Sequence, residues 1–188
     1  MPKFILLLLS VITLFSCTEN GKKEAFKEEP KAITQEAYLG SQKCKECHEN
    51  QFNDWKKSDH FYSMQKATAE FVKADFESVY AADGIDYVFS KTDSSYHVKI
   101  TEAGISNTYL VAYTFGWHPL QQYLLETENG KFQTLRASWD TEKNIWFHQN
   151  AGTLVEPHDW LSWSKGGQNW NTMCSSCHST HVQKNYNA

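Results

Sequence analysis

Four cysteines fall in two pairs of identical spacing, each followed at once by histidine: Cys44-Lys45-Glu46-Cys47-His48 and Cys174-Ser175-Ser176-Cys177-His178. Two thiols three positions apart can add to the two vinyl groups on one edge of a haem. The next residue then sets an imidazole against the iron. Cys44, Cys47, Cys174 and Cys177 therefore read as thioether attachment points for two haem c groups, with His48 and His178 as proximal ligands. A four-cysteine zinc site and a pair of redox disulfides use the same CxxC spacing. Neither accounts for a histidine after both pairs, and no βαβ pattern surrounds them.

A low-spin electron-transfer haem needs a second strong axial ligand, histidine or methionine. His60, His148 and His158 are the candidates. His60 closes the segment begun by the first motif and is better placed to serve a neighbouring haem than its own. His148 and His158 flank a loop leading to the second motif. His97 shares the polar face of its strand with Lys99, so it reads as a surface residue, as do His118 and His181. Met64 and Met173 are the thioether alternatives. Trp55, Trp146, Trp160, Trp163 and Trp170 sit near the motifs in sequence. They suit either porphyrin packing or an ordinary core.

The fifth cysteine, Cys17, has a different setting. Lys3 precedes an apolar run from Phe4 to Phe15, shorter than the roughly 20 residues that span a bilayer. The run ends Leu14-Phe15-Ser16-Cys17. This pattern reads as a bacterial lipoprotein signal at 1–17, with Cys17 lipidated and the protein exported and anchored to a membrane, facing periplasm or cell surface. Residues 18–37 are rich in Lys and Glu and poor in large apolar groups, which suits a flexible linker. Residues 38–188 form the folded domain. A net charge of −4 offers no basic footprint for nucleic acid.

The elements that must position the motifs come next. Phe52, Trp55 and Lys56 recur at helical spacing between Cys47 and His60. A second helix is expected over Ala67 to Tyr80, stopped by Asp83-Gly84. Period-two alternation then appears in Tyr87-Phe89 and Tyr96-Val98-Ile100. Further strands fit Thr108 to Phe115, Gln121 to Glu126 and Phe132 to Trp139, with Asn129-Gly130 as a hairpin turn. After Trp146 the pattern reads as loops, and a helix near Asn169 carries the second motif. The expected fold class is α+β, with haem-bearing helical segments at both ends flanking an antiparallel meander of about five strands.

Several stretches carry a family likeness. They are Tyr38-Leu39-Gly40-Ser41, Cys47-His48-Glu49, Trp55 through His60, and Tyr113-Thr114-Phe115-Gly116 with Pro119 to Leu124. Trp146-Phe147-His148 and Gln168-Asn169-Trp170-Asn171 leading into Cys174 to Thr180 complete the set. Together they resemble the multihaem c-type cytochromes related to the tetrahaem electron acceptor of nitrification (the cytochrome c-552/c-554-like domain), in a branch where such a domain precedes tetratricopeptide repeats. The likeness covers about residues 38–186. It implies electron transfer with redox partner proteins, a distal-ligand role at His60, and further haem motifs downstream, so that this chain would be an N-terminal fragment. A multihaem oxidoreductase acting on a small nitrogen compound is the alternative, and it requires an iron with an open position. The CxxCK motif that usually marks such a site in nitrite reductases is absent. A haem-based sensor is the third reading.

Overall fold

The structure, a computed structural model, describes residues 39–153, 155–180 and 182. The signal segment with Cys17, the 18–37 linker and His181 lie outside these residues. The fold differs from the α+β expectation: it is mostly β, nine antiparallel strands in one nearly closed, barrel-like sheet, with only short helical segments near the motifs. Those segments are α1 (Ser41–Lys45), α2 (Glu49–Trp55), α3 (Asp59–Tyr62) and α4 (Ser175–His178). The strands are β1 (Met64–Lys66), β2 (Val79–Ala82), β3 (Ile85–Lys91), β4 (Tyr96–Glu102), β5 (Ile105–Phe115), β6 (Leu120–Glu126), β7 (Phe132–Thr134), β8 (Ala137–Asp140) and β9 (Ile145–His148). Their order is β2-β3-β4-β5-β6-β8-β9, with β1 paired to β5 and β7 to β6.

Side-chain alternation explains the central strands. Ile85, Tyr87 and Phe89 of β3 are buried while Asp86, Val88 and Ser90 face outward, and Val98 and Ile100 of β4 join them inside. Asp83-Gly84 does not stop a helix. Both residues have positive φ (52° and 77°) and make the two-residue turn between β2 and β3. Ala103-Gly104 repeats this between β4 and β5. The hairpin at Asn129-Gly130 joins β6 to β7, with Glu126 opposite Phe132. The stretch from Phe132 to Trp139 is two strands, not one, because β7 and β8 pair with different parts of β6.

The helix expected over Ala67 to Tyr80 does not form. Tertiary partners take its backbone instead. The Gln121 side chain, fully buried in β6, accepts from Lys73 N at 2.8 Å and donates to Phe71 O at 2.9 Å, and Tyr123 Oη accepts from Ala74 N at 3.1 Å. A buried amide left without partners costs roughly 1–3 kcal/mol, and an extended loop satisfies it where a helix could not. The same loop drops Phe76 into the core, edge-on to Phe89, Tyr96, Tyr123 and Trp146.

The end of β5 is tightly built. Gly116 has φ +90°, and a Cβ there would stand 2.5 Å from Leu120 O. Gly116→Ala is expected to destabilise the domain by more than about 1 kcal/mol, read as a lower urea midpoint with an unchanged slope. A midpoint equal to that of the parent would mean that this turn relaxes freely.

Candidate haem-attachment sites

The first motif straddles two short helices. Cys44 lies in the last turn of α1, and its carbonyl accepts from both Cys47 N (3.3 Å) and His48 N (2.9 Å). That tight turn sets the motif's three ligating residues on one short stretch. His48 occupies the N-cap position of α2 but makes no side-chain cap bond, so its imidazole is not spent on the helix. Cys44, Cys47 and His48 are all exposed. Past them, α2 turns Phe52 inward and starts a run of aromatic contacts: Phe52 to Trp55 (5.6 Å between ring centres), Trp55 to Phe61 (5.1 Å), Phe61 to Tyr62 (5.1 Å), and Tyr62 stacked on Trp117 at 4.6 Å. Lys73 Nζ sits 3.7 Å over Trp117.

The second motif is pinned to the sheet. Asn169 Oδ1 accepts from Thr172 N and Thr172 Oγ1 and caps a π-helical turn, Trp170–Cys174, that runs into α4. Asn171 accepts from Phe132 N at 2.8 Å and donates to Gly130 O at 3.1 Å, which clamps the motif to the β6–β7 turn. Gln133 Nε2 in turn donates to Trp163 O and Lys165 O. The Gln-Asn-Trp-Asn run before the motif therefore works as an anchor. His178 is exposed, with its ring edge-on to Phe115 at 4.9 Å and tilted against Trp170 at 6.0 Å. Cys174 is half-buried, and that burial pushes its thiol up. The Thr134 hydroxyl lies near enough to pull the other way, yet it completes a hydrogen bond of good geometry with no described group.

These residues fit covalent haem. All four cysteines are free thiols, each pair followed by a histidine whose ring nitrogens bond no described residue. Among the described residues, no three His, Cys, Asp or Glu side chains converge as a metal site.

The histidines proposed as distal ligands are placed very differently. His60 lies exposed on α3 and His158 exposed in the turn after Pro157, and neither imidazole bonds a described residue. His148 is buried in β9 with both nitrogens engaged: Nδ1 stands 3.0 Å from Asp83 Oδ2 and Nε2 stands 2.9 Å from Tyr87 Oη. An ionised carboxylate only accepts, so Nδ1 carries the proton and Nε2 accepts from the tyrosine hydroxyl. Burial holds the His148 pKa below the ordinary imidazole range, and it raises that of Tyr87. The His148 hydrogen bond comes first among the causes that hold the Asp83 carboxyl below its usual range. Asp83 also accepts from Arg136 Nη2 at 2.9 Å and from Gly152 N at 3.0 Å. No nitrogen of His148 is left for iron in this arrangement.

His97 is half-buried on β4, and His118 bonds Thr141 and Glu142. Met64 begins β1, and Met173 is exposed beside the second motif. The tryptophans divide. Trp146 stacks on Phe89 at 3.8 Å and Trp163 donates to Glu102, both within the core. Trp170 borders His178, Trp55 belongs to the aromatic run, and Trp160 is exposed. The sequence marks Asp83 only as a helix stop and Tyr87 only as a strand residue, and nothing in it points to Trp117. Arg136, as the chain's single arginine, was a signal in plain view.

Comparison with curated proteins finds no match, and comparison with solved structures finds none either. Residues 43–110, which hold the first motif and run into β5, match the family model described as cytochrome c554 and c-prime, and this supports a c-type cytochrome with covalently bound haem and a role in electron transfer.

Proposed function

We propose that the chain is an exported, multihaem c-type cytochrome that carries one haem at each motif and passes electrons between redox partner proteins. One observation carries this reading: both CxxCH sets keep their imidazoles and three of their four thiols exposed, and residues at the end of β5 touch both the second motif and the aromatic run that leads from the first. Phe115 packs against His178 there, and Trp117, two residues on, stacks on Tyr62 of α3. A haem supplies an iron that cycles between two oxidation states. The chain supplies the thioether cysteines, the proximal imidazoles and a rigid sheet that fixes their spacing.

His60 is the first choice for a distal ligand and His158 the second, because both imidazoles are exposed and uncommitted. An iron with two imidazoles has no vacant position, which suits electron transfer better than chemistry on a small nitrogen compound. His60→Ala should turn one haem high-spin and let it bind carbon monoxide when reduced, with covalent haem content unchanged. A fully low-spin spectrum in that variant would make His60 a surface residue and transfer the role to His158.

The membrane attachment belongs to the same proposal. Cys17→Ser should abolish lipid labelling and release the protein to the soluble fraction, since lipid chains contribute roughly 0.8 kcal/mol per buried CH₂. A variant that stays with the membrane would show that another surface holds it there.

A further inference from the structure

A column of four aromatic rings runs across β2, β3 and β9. Phe89 lies flat on Trp146 at 3.8 Å, Tyr87 lies nearly parallel to Phe89 at 6.1 Å, and Tyr80 stacks on Tyr87 at 6.0 Å. Trp146, Phe89 and Tyr87 are buried, whereas Tyr80 is half-buried and brings the column toward the surface. Two phenols and an indole in this column can give up an electron. What an oxidised ring does next depends on its proton, because a phenol that has lost an electron is a very strong acid. Burial raises the Tyr87 pKa, so its hydroxyl keeps the proton until the electron leaves.

Of these three rings, Tyr87 alone has a base at hand. Its hydroxyl donates to His148 Nε2 at 2.9 Å, within the reach that proton transfer needs. Asp83 Oδ2, 3.0 Å from Nδ1, fixes the tautomer that leaves Nε2 open and offsets the charge of an imidazolium. Trp146 Nε1 instead donates to Asp75 O and Ser78 Oγ, and the Tyr80 hydroxyl lies beside the backbone of His148. Carbonyls and hydroxyls are poor proton acceptors. Tyr123 offers a comparison within the same core: it is as buried as Tyr87, but it donates to the Gln121 amide oxygen at 2.6 Å, which takes no proton near neutral pH. Tyr87 and His148 are 1% and 3% exposed, so a proton passed between them stays there for its return.

We infer that Tyr87 is a redox-active tyrosine that yields one electron to outer-sphere oxidants of the peroxyl- or carbonate-radical class. The electron leaves the phenol by way of Tyr80 and reduces the oxidant to its anion. The O–H bond of Tyr87 breaks, an N–H bond forms at His148 Nε2, and the Nδ1 proton stays in its bond to Asp83. The products are a neutral phenoxyl radical and an imidazolium. A donor of the ascorbate class returns the electron, and the proton goes back from Nε2 to the phenol. The column thus draws oxidising equivalents away from the protein's other side chains and holds them at a site that can be reset.

The test uses the full, haem-loaded protein with its iron ferric, so that the iron offers no electron. Tris(bipyridyl)ruthenium(III), generated by a light flash with persulfate, supplies the oxidant, and samples are frozen at once for electron paramagnetic resonance. The expected product is a tyrosyl radical whose hyperfine coupling changes when the histidines carry nitrogen-15. Tyr87→Phe, which keeps the ring, should abolish that coupled signal, and Tyr123→Phe should leave it in place. Failure to trap a tyrosyl radical, a radical without coupling to a histidine nitrogen, or one that keeps its coupling in Tyr87→Phe would each overturn the assignment. The nitrogen coupling is read on the unaltered sequence, so the outcome does not hang on how well a variant folds.

Discussion

Serine at both Cys44 and Cys47 is expected to remove one covalently bound haem and leave the other in place, and serine at Cys174 and Cys177 to do the same for its own site. The two sets share no residue and are held by different elements: α1 and the N-terminus of α2 in one case, the π-helical turn and α4 clamped by Asn171 in the other. Three of the four thiols are exposed, so neither double substitution opens a hole in the core. The fold should survive both. Mass measurement after acid–acetone extraction, on protein matured where c-type assembly machinery is present, should show two haems for the parent, one for each double variant and none for the quadruple. Loss of both haems on changing either pair would mean that the sites mature as a unit. Zinc in place of haem would end the reading.

The second large effect is on stability. His148→Ala is expected to cost about 3 kcal/mol, from the deleted ring and from the buried Tyr87 hydroxyl left without an acceptor. The substitution also strips Asp83 of its nearest ring partner, while Arg136 and Gly152 remain bonded to it. The pH dependence tells this role from simple packing. Folded His148 gives up its proton at a lower pH than unfolded histidine does. Below about pH 6.5 the unfolded chain therefore binds a proton that the folded chain refuses, and stability falls as the solution is acidified. The Asp83 carboxyl, also held low, repeats this below about pH 4. Chemical denaturation across pH 5 to 7 should show a slope in the parent that His148→Ala flattens. An unchanged slope would place the titration elsewhere.

These two results rest on very different degrees of sequence legibility. The proposed attachment residues stand out in the sequence alone, because haem chemistry would need the two sulfurs and the nitrogen within five consecutive positions. The central strands were legible for a similar reason: in Tyr87, Phe89, Val98 and Ile100 the burial pattern and the sequence period are the same fact. Elements whose partners are distant could not be read. The 67–78 loop has a helical spacing of apolar residues, but Gln121 and Tyr123, nearly fifty positions away, decide its conformation. Asp83-Gly84 had the chemistry of a hairpin turn, and the helix expected upstream hid it. His148 shows the limit most sharply. Its place at the start of the loop leading to the second motif suggested a ligand, whereas its partners Asp83 and Tyr87 come from 65 and 61 residues earlier.

The sheet ends in two strands, β2 and β9, that face each other without joining in its hydrogen-bonded order. What spans the gap is side chains: Tyr80 meets His148 at 5.5 Å between ring centres, Trp146 Nε1 donates to Ser78 Oγ at 3.1 Å, and Asp83 reaches His148 and Arg136. Unpaired strand edges are templates on which another chain can add a strand, and here each carries an exposed apolar residue, Val79 on one and Ile145 on the other. The seam therefore protects the protein from its own copies. Acid, or loss of the His148 ring, frees two sticky margins at once, so the destabilised protein should cross over into ordered aggregates.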